Sequence, residues 1–190
     1  MKKNLFVLVM LMMSLTSFAE SYKFVLSPSG MISTNPETPN FLVFDYPNVA
    51  QKDLYEKVLL IIGEHFTSPK DVISTVEGKQ ISIVCNVAQG VSRTNFHKFG
   101  ISFKLVFEFK DNKIKVNAPI INSITTVTHK FQEMFICKKV ISIGGDAFSI
   151  YSTSGKLKLE KAKETLEYTV NNTAAMILEG VLDKASNSDW

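Results

Sequence analysis

The segment that most constrains this chain is Ser102 to Lys110. Phe103, Leu105, Phe107 and Phe109 alternate there with Ser102, Lys104, Val106, Glu108 and Lys110. A period of two sends successive side chains to opposite faces of a strand, so four large apolar groups line one face and a wetter set lines the other. Burying each of the four is worth on the order of 2–3 kcal/mol. A second layer must therefore cover that face.

Two amphipathic helices can supply the layer. Leu54, Val58, Ile61, Ile62 and Phe66 follow an i, i+4, i+7, i+8, i+12 spacing, while Lys52, Glu56 and Lys57 fall on the other side. Asn48 is the expected cap and Pro69 the stop, after Thr67-Ser68. Near the C-terminus, Leu159, Ala162, Leu166, Val170, Ala174, Ile177 and Val181 recur every three or four residues. Lys161, Lys163, Glu164 and Glu167 occupy the positions between them.

The remaining segments read as strands joined by short turns. Phe41 to Phe44 is a strand ended by Pro47. Val72 to Val76 and Gln80 to Val87 flank the hairpin turn Glu77-Gly78-Lys79. Asp111-Asn112 turns the chain into a return strand, Lys113 to Ala118. Val140 to Ile143 and Ala147 to Tyr151 are expected to pair around Gly144-Gly145-Asp146. Residues 20–39, with Pro28, Gly30, Pro36 and Pro39, predict a short strand followed by a loop. Strands with hairpin-length connections and two helices imply an α+β fold: an antiparallel sheet with both helices on one face. Residues 40–185 form one domain, and 186–190 a loose polar tail.

The chain opens with a different pattern. Lys2 and Lys3 precede an apolar run from Leu5 to Leu15, and Ser17-Phe18-Ala19 places small residues before a possible cut. That is the layout of a secretory signal peptide over residues 1–19. The run falls short of the roughly 20 apolar residues a spanning helix needs. Glu20 and Ser21 follow the cut, so no cysteine there invites lipidation. The expected product starts near Glu20 and works in the periplasm or outside the cell, without a membrane span.

Cleavage also revises the charge. The whole chain carries a formal +3; Lys2 and Lys3 supply two of these charges and the leader holds no acid, which leaves +1. A near-neutral protein lacks the basic footprint that nucleic acid requires. Cys85 and Cys137 are the two cysteines. Both sit in strand-like apolar segments, so unpaired core thiols are the leading expectation; export permits a bridge between them as the second reading, and a catalytic thiol is a third.

Phe41-Leu42-Val43-Phe44, then Asp53-Leu54-Tyr55-Glu56-Lys57 opening a helix, then Phe66, and finally the hairpin from Phe103 to Ile114 resemble an exported family common in Bacteroidetes. This is the domain of unknown function described as having a TBP-like fold. The resemblance covers roughly residues 40–120. It implies a curved antiparallel sheet backed by helices. It implies no activity and supplies no catalytic residues, and a shared fold does not transfer DNA binding.

Candidate chemistry is sparse. His65, His97 and His129 show no helical metal-ligand spacing, so no metal site is expected, and His65 suits the end of the first helix. Gly144-Gly145-Asp146 could present amides to an anion but reads more simply as a tight turn. Serine-nucleophile, P-loop and dinucleotide signatures are absent, so no cofactor is expected. The segment Asn86 to Lys98 stands out. Its Arg93, Asn95, Phe96 and His97 place polar groups around an aromatic between two strands, as a peptide or glycan contact requires. The leading reading is thus a non-enzymatic binding or interaction module of the cell envelope, with an envelope protein, peptide or glycan as partner. A small hydrolase with a site assembled from separate loops would need clustered, perturbed titratable groups. A structural envelope component would need a broad exposed apolar patch.

Overall fold

The computed structural model describes residues 23–66, 73–126, 131–138 and 147–186. The leader, Pro69, His129, Val140–Ile143, the Gly144-Gly145-Asp146 turn and residues 187–190 lie outside the described residues.

The strands are β1 (Phe24–Ser27), β2 (Gly30–Ser33), β3 (Phe41–Asp45), β4 (Ile73–Val76), β5 (Gln80–Ser92), β6 (Lys98–Lys110), β7 (Lys113–Asn117), β8 (Ile120–Thr125), β9 (Glu133–Cys137) and β10 (Ala147–Tyr151). Among the described residues the helices are α1 (Gln51–His65), between β3 and β4, and α2 (Glu160–Ser186), after β10. No described helix is long and apolar enough to cross a membrane.

Among the described residues, β6 is the axis of an eight-stranded sheet. β5 pairs along one of its edges, from Gln80↔Glu108 to Ser92↔Lys98. Its other edge is shared, with β8 over Gly100 to Lys104 and β7 over Phe107 to Lys110. Pro119, which has no N–H to donate, separates β7 from β8. The alternation in β6 is realised as expected. Phe103, Leu105 and Phe107 are 0% exposed and Phe109 is 3%. Both helices cover that face, with Leu54, Val58, Ile61 and Ile62 of α1 and Ala162, Leu166, Val170, Ile177 and Val181 of α2 buried. Gly180 lets the helices approach closely: a Cβ there would lie 3.1 Å from Ile61 Cδ1.

Several local expectations are corrected. Asn48 does not cap α1; Ala50 holds that position without a side-chain bond. Asn48 instead takes a left-handed φ of 64°, which asparagine tolerates better than most residues. The capping acceptor comes from the β6–β7 turn, where Asp111 Oδ1 receives the Gln51 N–H at 2.9 Å. The N-terminal strand-and-loop is a hairpin, β1 with β2, which pairs with no strand of the large sheet. β5 does not stop at Val87. It passes an irregularity between Val87 and Val91, where Gln89 has a φ of 58°, and runs on to Ser92. The loop proper is therefore only Arg93 to His97. β10 pairs with β9, and it does so in parallel.

Cys85 and Cys137 are free thiols. The sheet order β9-β8-β6-β5 sets their strands three spacings apart, about 14 Å, well beyond the reach of a disulfide. Burial pushes the Cys85 thiol up to about 12, so it packs as an inert core group.

Candidate functional site

The Arg93–His97 loop is a braced turn. The His97 carbonyl accepts N–H bonds from Arg93 at 2.9 Å and Thr94 at 3.3 Å. Thr94 Oγ1 accepts from the Phe96 and His97 amides at 3.3 and 3.0 Å. Held in this way, the turn leaves Phe96 at its tip 98% exposed.

Two anchors fix the turn to the body. On one side, Ser92 N–H donates to Thr165 Oγ1 at 2.9 Å, and Lys161 Nζ donates to Asn95 Oδ1, both acceptor and donor coming from the first turns of α2. On the other side lies an aromatic stack. The Arg93 guanidinium sits 4.2 Å above the Phe148 ring of β10. The His97 ring is 4.7 Å from Phe99 and edge-on to Phe148 at 5.5 Å. Arg93 Nη1 approaches His97 Nδ1 at 3.3 Å, and His97 Nε2 lies 2.8 Å from Gln132 Oε1. Arginine can only donate, so Nδ1 is the acceptor side of the first contact, and Nε2 faces the Gln132 side-chain oxygen.

Both ring nitrogens of His97 are thus occupied by structural bonds. Phe131, the chain neighbour of Gln132, is 64% exposed, so a second aromatic flanks the hydrogen bond whose other side carries Phe96.

All four residues singled out from the sequence occupy one small surface. Arg93 and His97 are part-buried braces, Asn95 is tied to α2, and Phe96 is the free group. Sequence reasoning missed Phe131, Gln132, Phe148 and Lys161, because nothing local links them to the loop. His65 lies in the last turn of α1, where its Nδ1–H donates to the Ile61 carbonyl at 2.9 Å. No group of three or more metal-ligating side chains occurs among the described residues.

The perturbed titratable groups lie elsewhere. The Tyr46 hydroxyl, pushed up by burial and by Glu179, donates to the Leu178 carbonyl at 3.0 Å. Glu108 is held low by hydrogen bonds from Asn117 and Lys115 on the wetter sheet face. Burial lowers Lys163, but its hydrogen bond to Glu167 together with the charges of Glu167, Tyr151 and Glu164 outweighs burial, for a net rise. Exposed apolar side chains are spread over β3 (Val43), α1 (Leu60), β4 (Val76) and β8 (Ile120) as well as this surface.

Residues 41–122 match the model of a domain of unknown function (DUF4468) with TBP-like fold. Over these residues the chain is similar to that family. A TBP-like protein from Parabacteroides distasonis has a similar solved structure, with a TM-score of 0.51 and 13% identity over 78% of this chain and 92% of that one. A DUF4468 family protein from Bacteroides ovatus gives a TM-score of 0.46 and 12% identity over 74% of this chain and 84% of that one. No curated protein matches. The matched residues run from β3 through α1 into the start of β8, so they include the Arg93–His97 loop. The partners of that loop in β10 and α2, and Phe131 and Gln132 before β9, come from outside the matched residues.

Proposed function

We propose that the chain is exported and acts as a non-enzymatic binding module whose contact surface is the Phe96–Phe131 end of the sheet, with a protein of the cell envelope as partner. The observation that carries this reading is Phe96, 98% exposed on a turn held by two backbone–backbone hydrogen bonds, two amide bonds to the Thr94 hydroxyl, and anchors to α2 and β10. A rigid, exposed aromatic loses little conformational entropy when a partner covers it, which is what makes such residues strong contact points. The occupied imidazole of His97 favours binding over acid–base catalysis. Export rests on the basic–apolar–small layout of residues 1–19.

A photo-reactive amino acid at position 96 should capture a discrete partner in living cells, and Arg93→Ala should weaken that capture. The same probe at Leu60, exposed on α1, serves as control. Identical adducts from both positions would remove the loop as a contact surface. N-terminal sequencing of exported material should begin near Glu20; an intact Met1 would refute cleavage.

A further inference from the structure

The β1–β2 hairpin is held to the body in an unusual way. In β1, Val25 and Ser27 face Ile32 and Gly30 of β2, and the backbone groups of Phe24 and Leu26 point to the free edge. All four of those groups are taken by side chains. Asn171 reads both groups of Phe24: Oδ1 accepts its N–H at 2.9 Å and Nδ2 donates to its carbonyl at 2.8 Å. Glu167 Oε1 accepts the Leu26 N–H at 2.6 Å, and the Tyr151 hydroxyl donates to the Leu26 carbonyl at 2.5 Å.

The Phe24 and Leu26 side chains are meanwhile buried, 2% and 3% exposed. Main-chain hydrogen bonds combined with pockets for alternate residues are the chemistry by which proteins recognise extended segments. Here the bonds come from side chains of α2 and β10, so the acceptor exists without a neighbouring strand. Lys163, 2.7 Å from Glu167, fixes the carboxylate that reads Leu26. A groove of about 470 Å³ runs beside the contact, lined by Lys23, Glu164, Tyr168 and Asn172.

We propose that Asn171, Glu167 and Tyr151 form a strand-acceptor site, and that its exchangeable occupant is the β1–β2 hairpin of a second copy of this chain. The hairpin's own sequence already satisfies every hydrogen bond and both pockets, so a second copy fits as well as the first. The hairpin pairs with no strand of the large sheet, and only Thr34 to Asn40 tether it to β3. A tether this short holds the hairpin at an effective concentration on the order of millimolar, so self-occupancy dominates in dilute solution. Exchange gains ground as protein concentration approaches that value or when the chain's own hairpin is weakened.

The test uses the full mature chain and a labelled peptide of residues 23–34. In the Phe24→Asp chain the native-sequence peptide should bind by fluorescence anisotropy and raise the melting temperature. Adding Asn171→Ala to that chain should weaken binding about tenfold, since two hydrogen bonds are lost. A Phe24→Asp peptide should not bind. If the Phe24→Asp chain does not fold alone, the peptide should restore its folding, and the milder Phe24→Ala chain supplies the same titration. Sedimentation of the unsubstituted chain should show a dimer growing with concentration and dissociated by the peptide. A folded Phe24→Ala chain that ignores the peptide, peptide binding indifferent to Asn171→Ala, or a chain monomeric at millimolar concentration would each overturn the proposal.

Discussion

Truncating two phenylalanines eleven positions apart should have opposite consequences. Phe107 is 0% exposed in β6, with Ile81 of β5 and Val116 of β7 opposite it. Phe107→Ala removes a ring from a close-packed layer under two helices, and such truncations cost about 3–5 kcal/mol. For a chain of this size each kcal/mol lowers the melting temperature by roughly 2–4 °C, so a fall on the order of 10 °C is expected. Phe96 is 98% exposed, and Phe96→Ala should change stability by less than about 0.5 kcal/mol while removing the main contact of the proposed surface. Urea unfolding followed by far-UV circular dichroism measures both in one experiment. Equal destabilisation by the two variants, or an unmoved midpoint for Phe107→Ala, would refute the face assignment on which the fold rests. Phe107→Asp, which also buries an unpaired charge, should not yield a stably folded protein.

Other expectations follow from single contacts. A Cβ at Gly90 would lie 2.7 Å from Ile101 Cγ2 and 3.1 Å from Thr169 Cγ2, so Gly90→Ala should destabilise by about 1–3 kcal/mol in the same assay. The Glu108 carboxyl titrates below its ordinary value because Asn117 and Lys115 hydrogen-bond its ionised form. That contribution is complete above the unfolded value of about 4.3 and is lost as pH falls through the lower folded value, so Glu108→Gln should flatten the acid limb of the stability–pH profile below about pH 4. Alkylation in denaturant without reductant should label both Cys85 and Cys137; mass spectrometry showing neither labelled would establish a bridge.

Legibility along the chain depended on how far apart the interacting residues are. The β6 face, both helices and the turns at Glu77-Gly78-Lys79 and Asp111-Asn112 were readable because periodicity and turn chemistry are carried by adjacent residues. The cap of α1 was misassigned to Asn48 because the true acceptor, Asp111, lies 60 positions away. The extent of β5 was underestimated because its polar stretch, Asn86 to Ser92, lacks clean alternation, yet the ladder to β6 continues through it. The loop was recognised as a candidate surface from its composition. The reason it is rigid was hidden, since Phe148 and Gln132 reach it only through the sheet.

The amino-acid sequence by itself determined that a strand with one wholly apolar face must be covered by two amphipathic helices, because side-chain spacing alone fixes which groups share a face. Only the tertiary structure decided that β10 runs parallel to β9, that Phe96 is presented rather than packed, and that Asn171 reads the backbone of Phe24 across 147 positions. Those outcomes depend on contacts between distant segments, and a contact of that kind leaves no periodic trace in either segment taken alone.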